Sequence, residues 1–197
     1  MLASGMATTD RRERERAARR RLILTAARTL AEAEGWDAVT TRRLSTEIEY
    51  SQPVLYKHFA GMDEIAAAIA REGFGELADA LRKARIRGEA LTETARAYLD
   101  FAYDNPALYD AMFTRATTLR FAEGDTPPEL AAAFAELRRA VEPVADDRDA
   151  DALTEVLWAA LHGLVSLGRA GRLQPGQQSQ RLELLVERFD GGRRADR

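Results

Sequence analysis

The chain has 197 residues, 46% of them hydrophobic and 31% charged, a balance that suits a globular fold with a sizeable core. It contains no cysteine, which excludes disulfides, thiolate nucleophiles and cysteine-held metals. The net charge of −3 hides an asymmetry: residues 1–60 carry +3 and residues 61–197 carry −6, so a polyanion would meet the N-terminal segment.

Almost every periodic segment reads as helix. Residues 1–15 read as a flexible basic arm. From 16 to 34 the apolar positions Ile23, Ala26, Ala27, Leu30 and Ala31 recur at helical spacing, and Gly35 is a stop signal. Thr40 or Thr41 can cap a short helix carrying Leu44 and Ile48. Ser51 can cap the next one through its side-chain oxygen, with Pro53 in the first turn, where a missing N–H costs little. Asp63 and Glu64 open a long helix to about Ile86, with acids near its positive end. Further helices are expected at about 90–104, 106–113, 128–141, 150–170 and 178–189, with a loop at 118–129, a connector at 174–180 and a disordered tail at 191–197. No strand alternation or internal repeat stands out. No apolar run approaches the roughly 20 residues of a membrane span, and the start lacks an apolar signal-peptide core. A cytoplasmic protein without membrane contact is expected.

The stretch TTRRLSTEIEYSQPVLYKHF, residues 40–59, carries the functional signal. Two short helices joined by a tight turn, with Leu44, Ile48, Leu55 and Phe59 facing inward, form a helix-turn-helix pattern whose second helix enters the major groove. Gln52 has the amide that pairs with adenine, and Pro53 offers apolar contact to a thymine methyl. Tyr56, Lys57 and His58 lie a turn later, where hydroxyl and cationic groups meet phosphate. Thr41 sits at a helix N-terminus suited to phosphate, and Arg42 can reach a phosphate or a guanine edge. A short capped helix pair also occurs in all-α proteins that bind no DNA, so spacing alone leaves both readings open.

Residues 17–65, through LAEAEGWDAVTTRRLS and SQPVLYKHF, resemble the DNA-binding domain of the TetR family of bacterial repressors. The resemblance implies phosphate contacts at Thr41 and Tyr56, base reading at Arg42, Gln52 and Pro53, and a further contact at His58, with Ser51 at the start of the recognition helix. Two positions depart from the family pattern. Its usual Gly-Val turn is Glu49-Tyr50 here, which asks Glu49 for a left-handed backbone. Its usual lysine at the start of the fourth helix is Met62. The basic run 11–21 can compensate by following the DNA backbone, or it is a solvated helix extension.

The resemblance implies an all-α fold: a three-helix helix-turn-helix domain at 16–61 followed by a helical bundle at 62–190 that binds a ligand and dimerises. The stretches YLDFAYDNPALYDAMF and VLWAALHGLVSL resemble the TetR subgroup with a Trp-His-Gly signature, here Trp158, His162 and Gly163. Ligand-pocket candidates are Tyr98, Phe101, Tyr109, Met112, Phe113, Phe134, Trp158 and His162. Plain core accounts for most aromatic positions of this kind, and His162 also suits a core or interface histidine. Gly163 in mid-helix suggests a closely packed second backbone. Dimer-interface candidates are Leu157, Leu161, Leu164, Leu182, Leu185, Val186 and Phe189, unless these faces pack only within one chain. The implied partners are a palindromic duplex operator, a small-molecule effector and a second copy of the chain. Two histidines, no phosphate loop and no zinc spacing point away from an enzyme, a cofactor or a metal. The competing reading is a helical small-molecule-binding protein whose degenerate head binds DNA without specificity.

Overall fold

A computed structural model describes the backbone of residues 2–115 and 126–190, and side chains from Asp10 onward within those segments. Among the described residues all regular structure is helical: α1 Leu2–Glu34, α2 Thr41–Glu47, α3 Gln52–Tyr56, α4 Met62–Arg85, α5 Ala90–Asp104, α6 Pro106–Asp110, α7 Pro128–Ala145, α8 Ala150–Arg169 and α9 Gln178–Asp190. A 3-10 turn, Trp36–Ala38, follows α1, and a π-helical turn, Ala111–Arg115, follows α6. The expected loop lies largely, and the expected tail wholly, outside the described residues.

The start of α1 differs from expectation. Residues expected to form a flexible arm continue the helix, so Asp10–Glu15 is helical. The sequence offers no breaker there, and Arg11 bonds Glu15 at 2.9 Å with the spacing that supports an isolated helix. The helix stops at Gly35, whose φ of 84° is a left-handed exit that glycine takes cheaply.

The chain divides into two compact units, and the division does not follow the expected boundary at 61/62. The first unit runs to Arg71, inside α4, and also holds α6. Its core is Ile23, Ala27 and Leu30 from α1, Trp36, Leu44 from α2, Leu55 and Phe59 around α3, and Ile65 and Ile69 from α4, each at most 7% exposed. Helix α6 joins this core through α1. The Glu32 carboxylate accepts from the Ala107 and Leu108 amides at 3.0 and 2.9 Å, satisfying donors that a helix N-terminus leaves free. The Trp36 indole donates to the Ala107 carbonyl at 2.7 Å.

The second unit holds the rest of α4, α5 and α7–α9. Tyr98, Leu99, Leu137, Val141, Leu157, Leu161, Val165 and Leu182 make its interior. Asp149 caps α8 by accepting from the Asp151 and Ala152 amides. The buried Glu136 carboxylate is paired with Arg85 at 3.0 Å and with Arg139, so its charge is compensated.

Helix α8 corrects one expectation. Among the described residues it alone contains an 18-residue window with a mean hydropathy of 1.2, enough by length and composition to cross a membrane, a criterion that the core helix of a globular protein also meets. The reason is that α8 is apolar on two faces: Leu157, Leu161 and Val165 are buried, while Val156 and Leu167 are 58% and 41% exposed.

Candidate nucleic-acid interface

The reading surface is built on α2 and α3. Thr40 caps α2, its hydroxyl oxygen accepting from the Arg43 amide at 3.1 Å, which leaves Thr41 as the first helical residue. Leu44, Ile48, Leu55 and Phe59 are buried as the pattern predicts. The turn between the helices passes through Glu49 at φ 56°, and Tyr50 closes it by donating its backbone N–H to the Ser45 carbonyl at 3.0 Å. The left-handed backbone expected of Glu49 is present. Its side chain carries the steric cost that glycine would avoid.

Ser51 precedes α3 with an extended backbone, and Pro53 lies in the first turn. The expected side-chain cap is absent: the Ser51 hydroxyl bonds no amide of that turn, and its carbonyl instead accepts from Val54 and Leu55. The hydroxyl therefore stays free at the surface.

Seven of the eight residues assigned to DNA are solvent-accessible. Arg42, Ser51, Gln52, Pro53, Tyr56 and Lys57 are exposed, and Thr41 is half-buried. Neighbouring Arg43 is engaged with Glu34 at 2.8 Å, which leaves Arg42 as the outward guanidinium of that pair. His58 is the exception. It is buried, and its Nδ1 has no hydrogen-bond partner among the described residues. Burial first, and then the charges of Arg16, Arg19, Arg20 and Lys57, push its pKa below the usual 6.5, so the neutral ring is favoured. The free chain thus holds most of this ring inside the head, unlike the other residues assigned to DNA.

Sequence reasoning treated the α1 arginines as an undifferentiated basic run. The structure separates them. Arg20 donates to the His58 carbonyl, lies 4.0 Å over the Phe59 ring and stands 3.8 Å from Glu64, so it ties α1 to the end of the recognition helix. The signal was its spacing from Ile23 and Ala27 on one helical face.

The ligand candidates fall in both units. In the C-terminal unit Tyr98 and Phe101 are buried, while Phe134, Trp158 and His162 are half-buried. The Trp158 indole donates to the Tyr98 hydroxyl at 3.2 Å, and Phe134 meets Trp158 edge-on at 6.4 Å. His162 shares a 3.3 Å hydrogen bond with Ser166, and burial lowers its pKa. In the N-terminal unit Tyr109 and Met112 are buried, and Phe113 stacks at a tilt 4.5 Å from Tyr109. A cavity of about 500 Å³ in the C-terminal unit is lined instead by Glu89, Thr92, Glu183, Val186, Glu187, Arg188 and Asp190.

The dimer candidates divide by burial within the chain. Leu157, Leu161, Leu182 and Phe189 are 0 to 6% exposed and belong to the chain's own core. Leu164, Leu185 and Val186 are half-buried. The outward apolar residues of α8 and α9 are Val156, Leu167 and Leu184. Among the described residues nothing lies within 4 Å of the position a Cβ would take at Gly163, so none of their backbones explains it.

Comparison with known proteins agrees with this architecture. Residues 23–69 match the family profile described as bacterial regulatory proteins, tetR family, and residues 91–189 match the tetracyclin repressor-like C-terminal domain. The HTH-type transcriptional repressor Rv1474c of Mycobacterium tuberculosis is 32% identical over 87% of this chain and 90% of its own length. The uncharacterized HTH-type transcriptional regulator Rv0681 of the same organism is 30% identical over 77% of this chain and 71% of its own length. A solved structure from Rhodococcus sp. RHA1 superposes with a TM-score of 0.71 at 25% identity, covering 88% of this chain and 94% of that one. With a helix-turn-helix head matched at one end and a regulator C-terminal domain at the other, the chain belongs to the TetR family of transcriptional regulators.

Proposed function

We propose that the chain is a repressor that binds a palindromic operator as a homodimer and is released by a small molecule. The observation that carries the reading is the separation of roles on α2 and α3: a buried apolar face, and an outward set of Arg42, Gln52, Pro53, Tyr56 and Lys57. Gln52 and Pro53 read bases, Arg42 reads a base edge or a phosphate, and Thr41, Tyr56 and Lys57 hold phosphates. Its site of action is then the compartment of the DNA, the cytoplasm, and no catalysis is assigned to it.

The dimer forms through the outer face of α8, where Val156, Gly163 and Leu167 follow one another at helical spacing, together with Leu184 of α9. Two recognition helices related by a two-fold axis then meet half-sites about 34–36 Å apart. The effector binds among the aromatic residues of the C-terminal unit, where Tyr98, Trp158 and His162 supply polar groups within an apolar surround. Trp158, His162 and Gly163 are also the support for placing the chain in the Trp-His-Gly subgroup. Effector binding favours a dimer state that no longer matches both half-sites.

The test compares Gln52→Ala with Tyr56→Phe on a duplex that the wild-type chain selects. Gln52→Ala should cost about 1–3 kcal/mol and relax preference at one base position. Tyr56→Phe should weaken all duplexes alike. Equal loss across all sequences from Gln52→Ala would contradict the assignment.

A further inference from the structure

The buried face of α1 changes character along its length. Ile23 and Ala27 are fully buried on it. One turn earlier, at the spacing that keeps residues on one side of a helix, come Arg19 and Arg20, and one turn earlier again Arg16. Here the helix passes the end of the recognition helix, where Lys57 and His58 lie. Arg20 is occupied there by the His58 carbonyl, the Phe59 ring and Glu64. Arg16 and Arg19 are exposed and hold no hydrogen-bonded carboxylate among the described residues, and Lys57 is exposed beside them. The position at the start of α4 is Met62, half-buried and uncharged.

Cations gathered around a buried imidazole with an unpartnered nitrogen raise the energy of the free head. An anion brought to their outer side would lower it. Among the described residues, Glu64 of α4 stands 3.8 Å from Arg20, and on α1 Glu15 is bonded to Arg11 and also drawn toward Arg19, so two carboxylates face four cations, Arg16, Arg19, Arg20 and Lys57. The cluster thus carries net positive charge next to the surface that faces DNA.

We infer that Arg16, Arg19 and Lys57 form a clamp for a backbone phosphate of duplex DNA, beside the buried His58 and outside the base-reading set on α2 and α3. The inference rests on the DNA-binding reading above and deepens it. Guanidinium forks suit a phosphate because their N–H groups bond two of its oxygens at once. The clamp takes over the anchoring that a lysine at position 62 would give. His58 does not touch the phosphate. It is a positioning residue whose proton affinity rises when the phosphate offsets the surrounding cations.

The test uses the full chain, a fluorescein-labelled duplex of random sequence and the duplex enriched by selection. Arg16→Gln/Arg19→Gln should weaken binding to both duplexes roughly tenfold and lower the slope of log affinity against log salt by about 1 per head. Arg16→Lys/Arg19→Lys should restore most of that slope. The ring signals of His58, separated from those of His162 by His162→Gln, should titrate at higher pH with duplex bound. Inorganic phosphate at the same phosphate concentration should leave them in place. An unchanged salt slope in a double variant that still binds overturns the clamp while the reading surface stands. An equal His58 response to inorganic phosphate overturns the assignment to DNA. If the wild-type chain retains no duplex at all, the clamp and the DNA-binding reading fall together.

Discussion

The Trp36 indole N–H donates to the Ala107 carbonyl across 71 positions of sequence, at 2.7 Å and in a buried setting. With Glu32 on the Ala107 and Leu108 amides, it fixes α6 to the first helix of the DNA-reading unit. Trp36→Phe keeps most of the apolar burial and removes the donor. It should lower unfolding stability by about 1–3 kcal/mol, because the Ala107 carbonyl is left buried without its partner. Urea denaturation of the variant checks this, and an unchanged midpoint would mean the bond contributes nothing net.

Glu49 holds a left-handed backbone in the turn between α2 and α3. Glu49→Gly should raise stability by about 1 kcal/mol, since glycine meets no Cβ penalty there. A loss of stability on thermal unfolding would show that the Glu49 side chain makes a compensating contact.

The outer and inner faces of α8 should respond differently to charge. Val156→Asp, at a position 58% exposed, should yield a folded monomer by sedimentation. Leu161→Asp, at a fully buried position, should prevent folding, because an unpaired carboxylate cannot be accommodated in that core. A dimeric Val156→Asp chain would move the interface elsewhere.

Both histidines of the chain have lowered proton affinity, His58 by burial and then by neighbouring cations, and His162 by burial. The neutral ring is the form the fold favours. The unfolded chain therefore binds more protons as pH falls below the ordinary value of 6.5. This contribution to stability is fully present above that pH and is lost as pH drops toward the folded values. His58→Gln/His162→Gln should flatten the fall in stability below about pH 6.5. A fall of equal steepness in the double variant would assign it to carboxylates alone.

The helical architecture was legible because periodic apolar spacing survives in every long segment after Arg16, and the inward set Leu44, Ile48, Leu55 and Phe59 followed from that period alone; the start of α1 lacks that spacing and was not legible. The unit boundary inside α4 was not legible, since one unbroken periodic helix serves both cores. The fate of α6 was hidden too: its attachment depends on Glu32 and Trp36, polar and aromatic groups distant in sequence. The dimer candidates divide by burial for a related reason. Helix α8 is apolar on two sides, and period cannot say which side the chain keeps for itself; Leu157 and Leu161 went inward and Val156 and Leu167 outward. His58 matched a DNA-contacting position by type, yet the α1 arginines that enclose it are set by the packing of α1 across the end of α3.

The most direct measurement of the central claim is selection from random duplex DNA by the purified full chain at physiological salt, followed by sequencing of the retained pool. The account predicts an enriched palindrome with two similar half-sites, their centres about one helical turn or a multiple of it apart. Retention without enrichment, or none, would contradict it and favour a ligand-binding protein whose head no longer reads sequence.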